Sequence, residues 1–319
     1  MTSSINKSLS IVIPTYNRPS QLEKCLDLLL DKCCLLNINI FISDDSSNDE
    51  VFKLIHSIKK RYSIIHYSKN ESRLGHDLNF FHSLEIPKSD YVWVLSDAIL
   101  VDAPSIEIIL NIIKNNKYEI ISINAKNRDL KCPSGSFSDS HIIIEKFGWH
   151  LNLMGAAIYS KNVINTLKDI DVTNCKNFPH FYLIFTYLSI NPSFYWLNKK
   201  ILSSSRKKSY WMKNIFTVWF NDWPNVVHSL SPRYNKIDLN KIIVNHSIKT
   251  KMFNPKSLVM LRLNKFFNYK KYKKYKSGLV NHSSYSKYII LLISIVPSGL
   301  IKIIYNSLRC RTKDVKKIS

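Results

Sequence analysis

Two short polar clusters near the start of the chain have the side chains to hold a ligand. The first closes Ser10-Ile-Val-Ile-Pro-Thr-Tyr-Asn-Arg18 and offers Thr15 and Tyr16. The second lies in Ile40-Phe-Ile-Ser-Asp-Asp-Ser-Ser-Asn-Asp49 and offers Asp44 and Asp45. A hydroxyl and an aromatic ring beside two carboxylates suit a nucleobase with N–H groups and a ribose with hydroxyls. The Gly-rich loop that cradles the phosphates of a dinucleotide is missing. The same residues also read as two turns whose Asp and Asn side chains cap helices, and spacing alone leaves both readings open.

The elements between them would put both clusters on one edge of a sheet. Ile11–Ile13 is a short β-branched run that Pro14 is expected to stop. Leu22, Cys25, Leu26, Leu29 and Leu30 recur at helical spacing, so a helix is expected over Pro19–Leu35, with Ser20 as N-cap and Glu23 as its capping-box partner. Ile38–Ile42 is the second strand. A β-α-β unit of this kind binds ligands at the carboxyl ends of its parallel strands.

These two motifs at this separation resemble the opening of family 2 glycosyltransferases, whose usual form is close to SVVIPTYNR followed by VVDDGSTD. The resemblance covers roughly the first 100 residues. It implies an α/β fold of the GT-A (Rossmann-like) type, a mostly parallel central sheet flanked by helices. It also implies that Thr15, Tyr16, Arg18, Asp44 and Asp45 hold the nucleoside part of a nucleoside-diphosphate sugar. Arg73, in the loop Asn70–Asn79, is expected near the base or a phosphate. After the apolar strand Tyr91–Leu95 the family carries an acidic motif that holds Mg²⁺ or Mn²⁺ against the donor phosphates. This chain departs from that pattern. Asp97 stands, Ala98 takes the next place, and Asp102 is the other nearby acid. Asp97 is therefore the expected metal or ribose contact, and cationic side chains remain the alternative for stabilising the leaving diphosphate.

Further along, a helix is expected over Ala103–Asn115, a strand over Glu119–Ile123 and a long loop over Asn124–Ser140. The acceptor side of the site is expected around Gly155. Members of the family that invert the sugar place an acid on a later helix as general base. Here Asn174-Cys-Lys-Asn-Phe-Pro-His-Phe-Tyr182 stands instead, resembling a subgroup of bacterial O-antigen and capsule transferases. His180 is the candidate base, with Asp171 and Asp222 as competitors and a packed or capping histidine as the structural alternative. Ser203–Trp211 reads as a basic stretch able to fold over a diphosphate. Lys213–Leu230 reads as a helix pair broken at Pro224, with Trp219 and Trp223 facing sugar or core.

Composition adds a partner surface. The 319 residues carry a net charge of +23 with 45% hydrophobic residues. The last glutamate is Glu145, so the second half is strongly basic. An anionic partner or an A+T-rich coding sequence would each produce this. The expected division is a GT-A domain over 1–235, its nucleotide-binding half ending near 102, and a basic helical extension over 236–319. Within the extension, Lys265–Lys276 interleaves lysines with aromatics. The apolar run Tyr288–Ile301 is about 14 residues where a membrane span needs about 20. Interfacial binding to an anionic membrane, or packing of a C-terminal helix, fits this better than RNA, for which no motif is present. Six cysteines without CxxC spacing read as reduced thiols, and strand one begins without a signal segment before it.

The resemblance thus implies transfer of a sugar from a nucleoside-diphosphate donor to a hydroxyl of a saccharide acceptor, expected to be lipid-linked, at the inner face of the cytoplasmic membrane. A catalytically degenerate, binding-only paralogue is the alternative. A sugar nucleotidyltransferase would need a Gly-rich loop that Pro14–Ser20 lacks.

Overall fold

A computed structural model describes residues 8–301, apart from 127, 129, 205–209, 284 and 298. The expected β-α-β opening is present as β1 (Leu9–Thr15), α1 (Pro19–Leu35) and β2 (Asn39–Asp44). Helix α1 buries Leu22, Cys25, Leu26, Leu29, Leu30 and Cys33, the face read from its spacing. Its start differs from expectation. Arg18 is the N-cap residue and Pro19 the first helical position, so Ser20 lies inside the first turn and makes no cap. Proline suits that place, because the first helical N–H has no intrahelical acceptor.

Pro14 does not stop β1. The Val12 carbonyl accepts from Leu95 on the β4 side, and the Thr15 carbonyl accepts from Asp45 on the β2 side. Successive residues alternate sides, so the missing N–H of Pro14 faces the β4 side. The ladder there has already ended at the Val12–Val94 pair, and no donor is lost from the sheet.

The chain continues through α2 (Glu50–Lys59), β3 (Ile65–Lys69), α3 (Gly75–Glu85), β4 (Tyr91–Val94), β5 (Ile99–Val101), α4 (Ile106–Asn115) and β6 (Ile120–Ala125). Then come β7 (Gly135–Phe137), α5 (Ser140–Phe147), β8 (Ala157–Ser160), α6 (Lys161–Asn165), α7 (Pro179–Leu188) and β9 (Phe194–Ser204). The nine strands form one sheet in the order β3-β2-β1-β4-β8-β6-β9-β5, with β7 paired to β9. β1, β2, β3, β4, β6 and β9 share one direction, and β5, β7 and β8 oppose it. Strands β1 to β3 build outward on one side, and the chain then returns to place β4 against β1. The β1/β4 junction is therefore the switch point where open α/β sheets bind ligands.

Three strands are absent from the sequence reading. β5 is three residues after Asp97, in the stretch read only for its acids, and β7 is three residues inside the expected loop. β9 is eleven residues long, but Asn198-Lys199-Lys200 interrupts its apolar pattern where its register against β6 shifts. Gly155 sits before β8 with φ of +99°, and a Cβ there would come within 3.3 Å of Leu95 Cδ2. Its carbonyl also accepts the Trp93 indole N–H at 2.8 Å. Gly155→Ala is expected to cost about 2 kcal/mol through backbone strain, read as a lower urea midpoint at unchanged slope. An unchanged midpoint would mean that the turn relaxes freely.

The chain divides into two compact units. One takes the chain to Lys207 and again Asn225–Leu239; the other takes Lys208–Pro224 and the chain from Asn240 onward. Thus 208–224 groups with the carboxyl-terminal helices, against the expected single boundary at 235. The remaining helices are α8 (Ile215–Thr217), α9 (Trp223–Ser229), α10 (Leu239–Lys249), α11 (Pro255–Leu263), α12 (Tyr269–Asn281) and α13 (Lys287–Ile295). The break read at Pro224 is instead a single π turn, Val218–Asp222, ahead of α9, with Pro224 second in that helix. A widened turn accommodates the carbonyl that proline leaves without a donor. Trp219 and Trp223 are buried, and Trp219 stacks on His246 at 4.0 Å, so both indoles serve the core of the second unit.

Candidate functional site at the switch point

Thr15 ends β1 and Asp97 follows β4, so the sheet order brings them together. Thr15 Oγ1 donates to Asp97 Oδ2 at 3.3 Å. Arg18 reaches the same carboxylate, with Nη1 at 3.3 Å from Oδ1 and 3.4 Å from Oδ2. The Asp97 side chain is 3% exposed and that of Arg18 27% exposed, so the guanidinium forms the open side of the pair. Beneath them, the Cys25 thiol of α1 is pushed up to about 12 by burial, with the Asp97 charge adding to the effect.

A second pair lies beside this one. The Arg73 guanidinium stands over the Tyr16 ring at 4.5 Å from its centroid, a cation–π contact between two residues that the sequence placed near a base. Tyr16 is half-buried and Arg73 exposed. The loop carrying Tyr16 is fixed by Asn17, whose φ is +51°. The Asn17 backbone N–H donates to Ser46 Oγ at 2.8 Å, and its carboxamide oxygen accepts from the Ser47 N–H at 3.1 Å.

Asp44 and Asp45 direct their carboxylates to protein groups. Asp44 accepts from the Ser46 N–H at 2.9 Å and the Tyr67 hydroxyl at 2.8 Å. Asp45 accepts from Asn70 Nδ2 at 3.0 Å, the Leu74 N–H at 2.7 Å and the Gly75 N–H at 2.8 Å. It therefore anchors the start of α3, and with it Arg73. Asn79 completes the wall. Its Oδ1 accepts from Ser43 Oγ at 2.6 Å and Asn70 Nδ2 at 3.1 Å. The sequence reading missed Tyr67, Asn70 and Asn79 as supports, although Asn70 and Asn79 frame the loop it singled out.

The candidate bases are His180, Asp171 and Asp222. His180 is buried in the first turn of α7, edge-on to Phe80 at 6.0 Å. Burial, with lesser contributions from neighbouring charges, pushes its pKa down to about 4, so it is a neutral imidazole at pH 7. The loop before α7 is tied to α3 by the Asn177 N–H, which donates to Asp77 Oδ2 at 2.9 Å. Asp171 is on the surface. It accepts from the Thr173 N–H and hydroxyl and from Asn174 Nδ2, and the Thr173 bonds hold its pKa below the usual carboxylate range. Asp222 belongs to the second unit. Of the basic stretch Ser203–Trp211, residues 205–209 fall outside the described residues, as do Lys302, Cys310 and Asp314.

The residues at Asp97 fit a divalent cation poorly. Among the described residues no three His, Cys, Asp or Glu side chains gather as a metal-holding group. Asp97 already meets a guanidinium, Ala98 brings no oxygen, and Asp102 accepts the Ser105 hydroxyl at the start of the next helical turn. The local cation is Arg18.

The description Glycosyl transferase family 2 matches residues 10–160, just under half of the chain. Abequosyltransferase RfbV of Salmonella typhimurium is 35% identical over 102 residues, 31% of this chain and 31% of that protein, so the chain spans about a third of the length of this curated relative. Among solved structures, S. aureus TarS 1–349 in complex with UDP is similar with TM-score 0.51 and 12% identity, over 89% of this chain and 90% of that one. Mannosyltransferase PcManGT from Pyrobaculum calidifontis, in complex with GDP-Man and Mn²⁺, is similar with TM-score 0.51 and 12% identity, over 96% and 83%. At that identity the structural likeness establishes the fold alone. With the sheet order and the two opening motifs, residues 10–160 are a family 2 glycosyltransferase domain of the GT-A fold.

Proposed function

We propose that this protein moves a sugar from a nucleoside-diphosphate donor to a hydroxyl of a saccharide acceptor during bacterial surface polysaccharide synthesis. The observation that carries the reading is the convergence of Thr15, Arg18 and Asp97 at the switch point, beside the Tyr16–Arg73 pair. Tyr16 and Arg73 flank the nucleobase. Asp44 and Asp45 shape the wall behind it, and Asp97 faces the ribose and the diphosphate. Arg18 supplies positive charge where the family pattern has a metal ion, and that charge stabilises the leaving diphosphate as the bond to the sugar breaks. The similarity to an abequosyltransferase supports a surface-polysaccharide acceptor, with a lipid-linked saccharide and inversion at the anomeric carbon as the finer form of the reading. His180, neutral and packed against Phe80, serves as wall between α3 and α7.

The test is donor binding by titration calorimetry with UDP-, GDP-, CDP- and dTDP-sugars. Arg18→Met is expected to weaken the preferred donor about tenfold to a hundredfold, the usual loss of a charge-assisted contact. An unchanged affinity would remove Arg18 from the donor site. The second reading, a binding-only paralogue, rests on Ala98 in the acidic motif. It predicts the same binding but no release of nucleoside diphosphate in the presence of any acceptor.

A further inference from the structure

Helix α13 has two apolar sides and only one is covered. Ile290, Ile293 and Ser294 are buried. On the opposite side Tyr288 is 69% exposed, Leu292 56% and Ile295 51%, with Ile289 next to them at 42%. Positions 288, 292 and 295 follow i, i+4, i+7 and share one helix face. This face carries no polar residue apart from the Tyr288 hydroxyl. An apolar face of this kind marks an interaction site.

The charge around it selects the occupant. From Asn240 to Ile301 the sequence has twelve lysines and arginines and no acid. Lys270, Lys273, Lys274 and Lys276 of α12 are exposed, and Lys287 begins α13 with its ammonium 5.2 Å from the Tyr288 ring centroid. A second copy of the chain would bring the same sign of charge. So would residues 302–319, in which Lys302, Arg309, Arg311, Lys313, Lys316 and Lys317 outnumber Asp314. An anionic bilayer surface offers acyl chains to the apolar face and phosphates to the lysines. The helix is nine residues long, about 14 Å, so it lies in the interface and does not cross. No described helix is long and apolar enough to cross a membrane.

We infer that the second unit binds anionic membrane surfaces by laying the Tyr288–Leu292–Ile295 face of α13 into the lipid, with the lysines around it on the headgroups. This placement brings the enzyme to acceptors held on lipid, and it stands whether or not the donor site works as proposed.

The test is co-sedimentation of the full chain with vesicles of phosphatidylcholine alone and of phosphatidylcholine with phosphatidylglycerol. Binding is expected only to the anionic vesicles, and it weakens with salt. Leu292→Ser with Ile295→Ser, both exposed and so harmless to the core, is expected to lower vesicle affinity at least about tenfold while leaving the urea midpoint and donor affinity unchanged. Equal binding of the double variant overturns the inference, as does no binding of the wild type. A wild type that dimerises through this face without sedimenting with vesicles overturns it as well.

Discussion

Replacing Asp45 by alanine is expected to lower the stability of the protein by about 3 kcal/mol and to remove donor binding. Three donors converge on this carboxylate: Asn70 Nδ2, the Leu74 N–H and the Gly75 N–H. Two of them are backbone groups at the start of α3, which have no intrahelical acceptor. A charged acceptor at such a place contributes about 1.5–3 kcal/mol, and burial raises the cost of leaving donors unpaired. Arg73 directly precedes Leu74, so loss of the anchor frees the guanidinium that stands over Tyr16. Asp45→Asn separates the two effects. It keeps one acceptor oxygen and presents an amide N–H₂ to the other donors, so roughly half the stability loss is expected. Donor affinity in that folded variant should still fall about tenfold, because the loop is misplaced. Urea unfolding and donor titration on both variants check this. An Asp45→Ala midpoint equal to wild type would mean that the loop is held by something else.

Lowering the pH from 7.5 to 5 is expected to cost about 4 kcal/mol through His150 and His180 together, and His282, held down to about 4 by burial, adds to the fall. Burial and the Arg128 guanidinium push the His150 pKa down to about 3, and His180 is held at about 4. His150 Nε2 is 2.9 Å from the Ile123 carbonyl, and Arg128 donates to the carbonyls of Trp149 and His150 and to Asn152 Oδ1. A second cation has no place beside that guanidinium. In the unfolded chain both imidazoles titrate near 6.5. Between 6.5 and the folded values the unfolded state therefore binds more protons than the folded one. The stability is fully present above about pH 6.5 and is lost as pH falls toward the folded values. At pH 5 each histidine contributes a loss of about 2 kcal/mol. Urea midpoints across this range should fall steadily, and His180→Phe, which keeps the ring packing against Phe80, should remove about 2 kcal/mol of the fall. A flat profile from pH 7.5 to 5 would contradict the burial of both imidazoles as neutral groups.

The elements that were legible in sequence are those whose burial shows in the order of their apolar residues. Leu22, Cys25, Leu26, Leu29 and Leu30 declare α1 because only one of its faces meets the sheet. Tyr91–Val94 declares β4 because it is buried on both faces. β9 was not legible, since Asn198-Lys199-Lys200 breaks its period where the register to β6 shifts, and pairing with β6, β5 and β7 holds it in place of propensity. Pro14 misled because its effect depends on which side of the strand lacks a partner, which only the sheet order decides.

The site was legible as residue types and not as a network. Thr15 and Tyr16 could be chosen because they sit where strand one ends, and Arg18, Arg73 and Asp97 through the family resemblance. That Arg18 pairs with Asp97, and that Asp45 fastens the start of α3, are tertiary facts with no local signature. Ala98 was visible as a gap in the acidic motif. Its consequence appears only when the guanidinium beside Asp97 is seen.

The most direct measurement of the central claim is calorimetric titration of the protein with the four classes of nucleoside-diphosphate sugar, in Mg²⁺, in Mn²⁺ and in EDTA. A site built on Arg18, Tyr16 and Arg73 predicts saturable binding of one class at a similar affinity in all three conditions, weakened about tenfold to a hundredfold in Arg18→Met. Binding that disappears in EDTA would contradict the assignment of Arg18 as the cation of the site. Absence of binding by any donor would contradict the site itself.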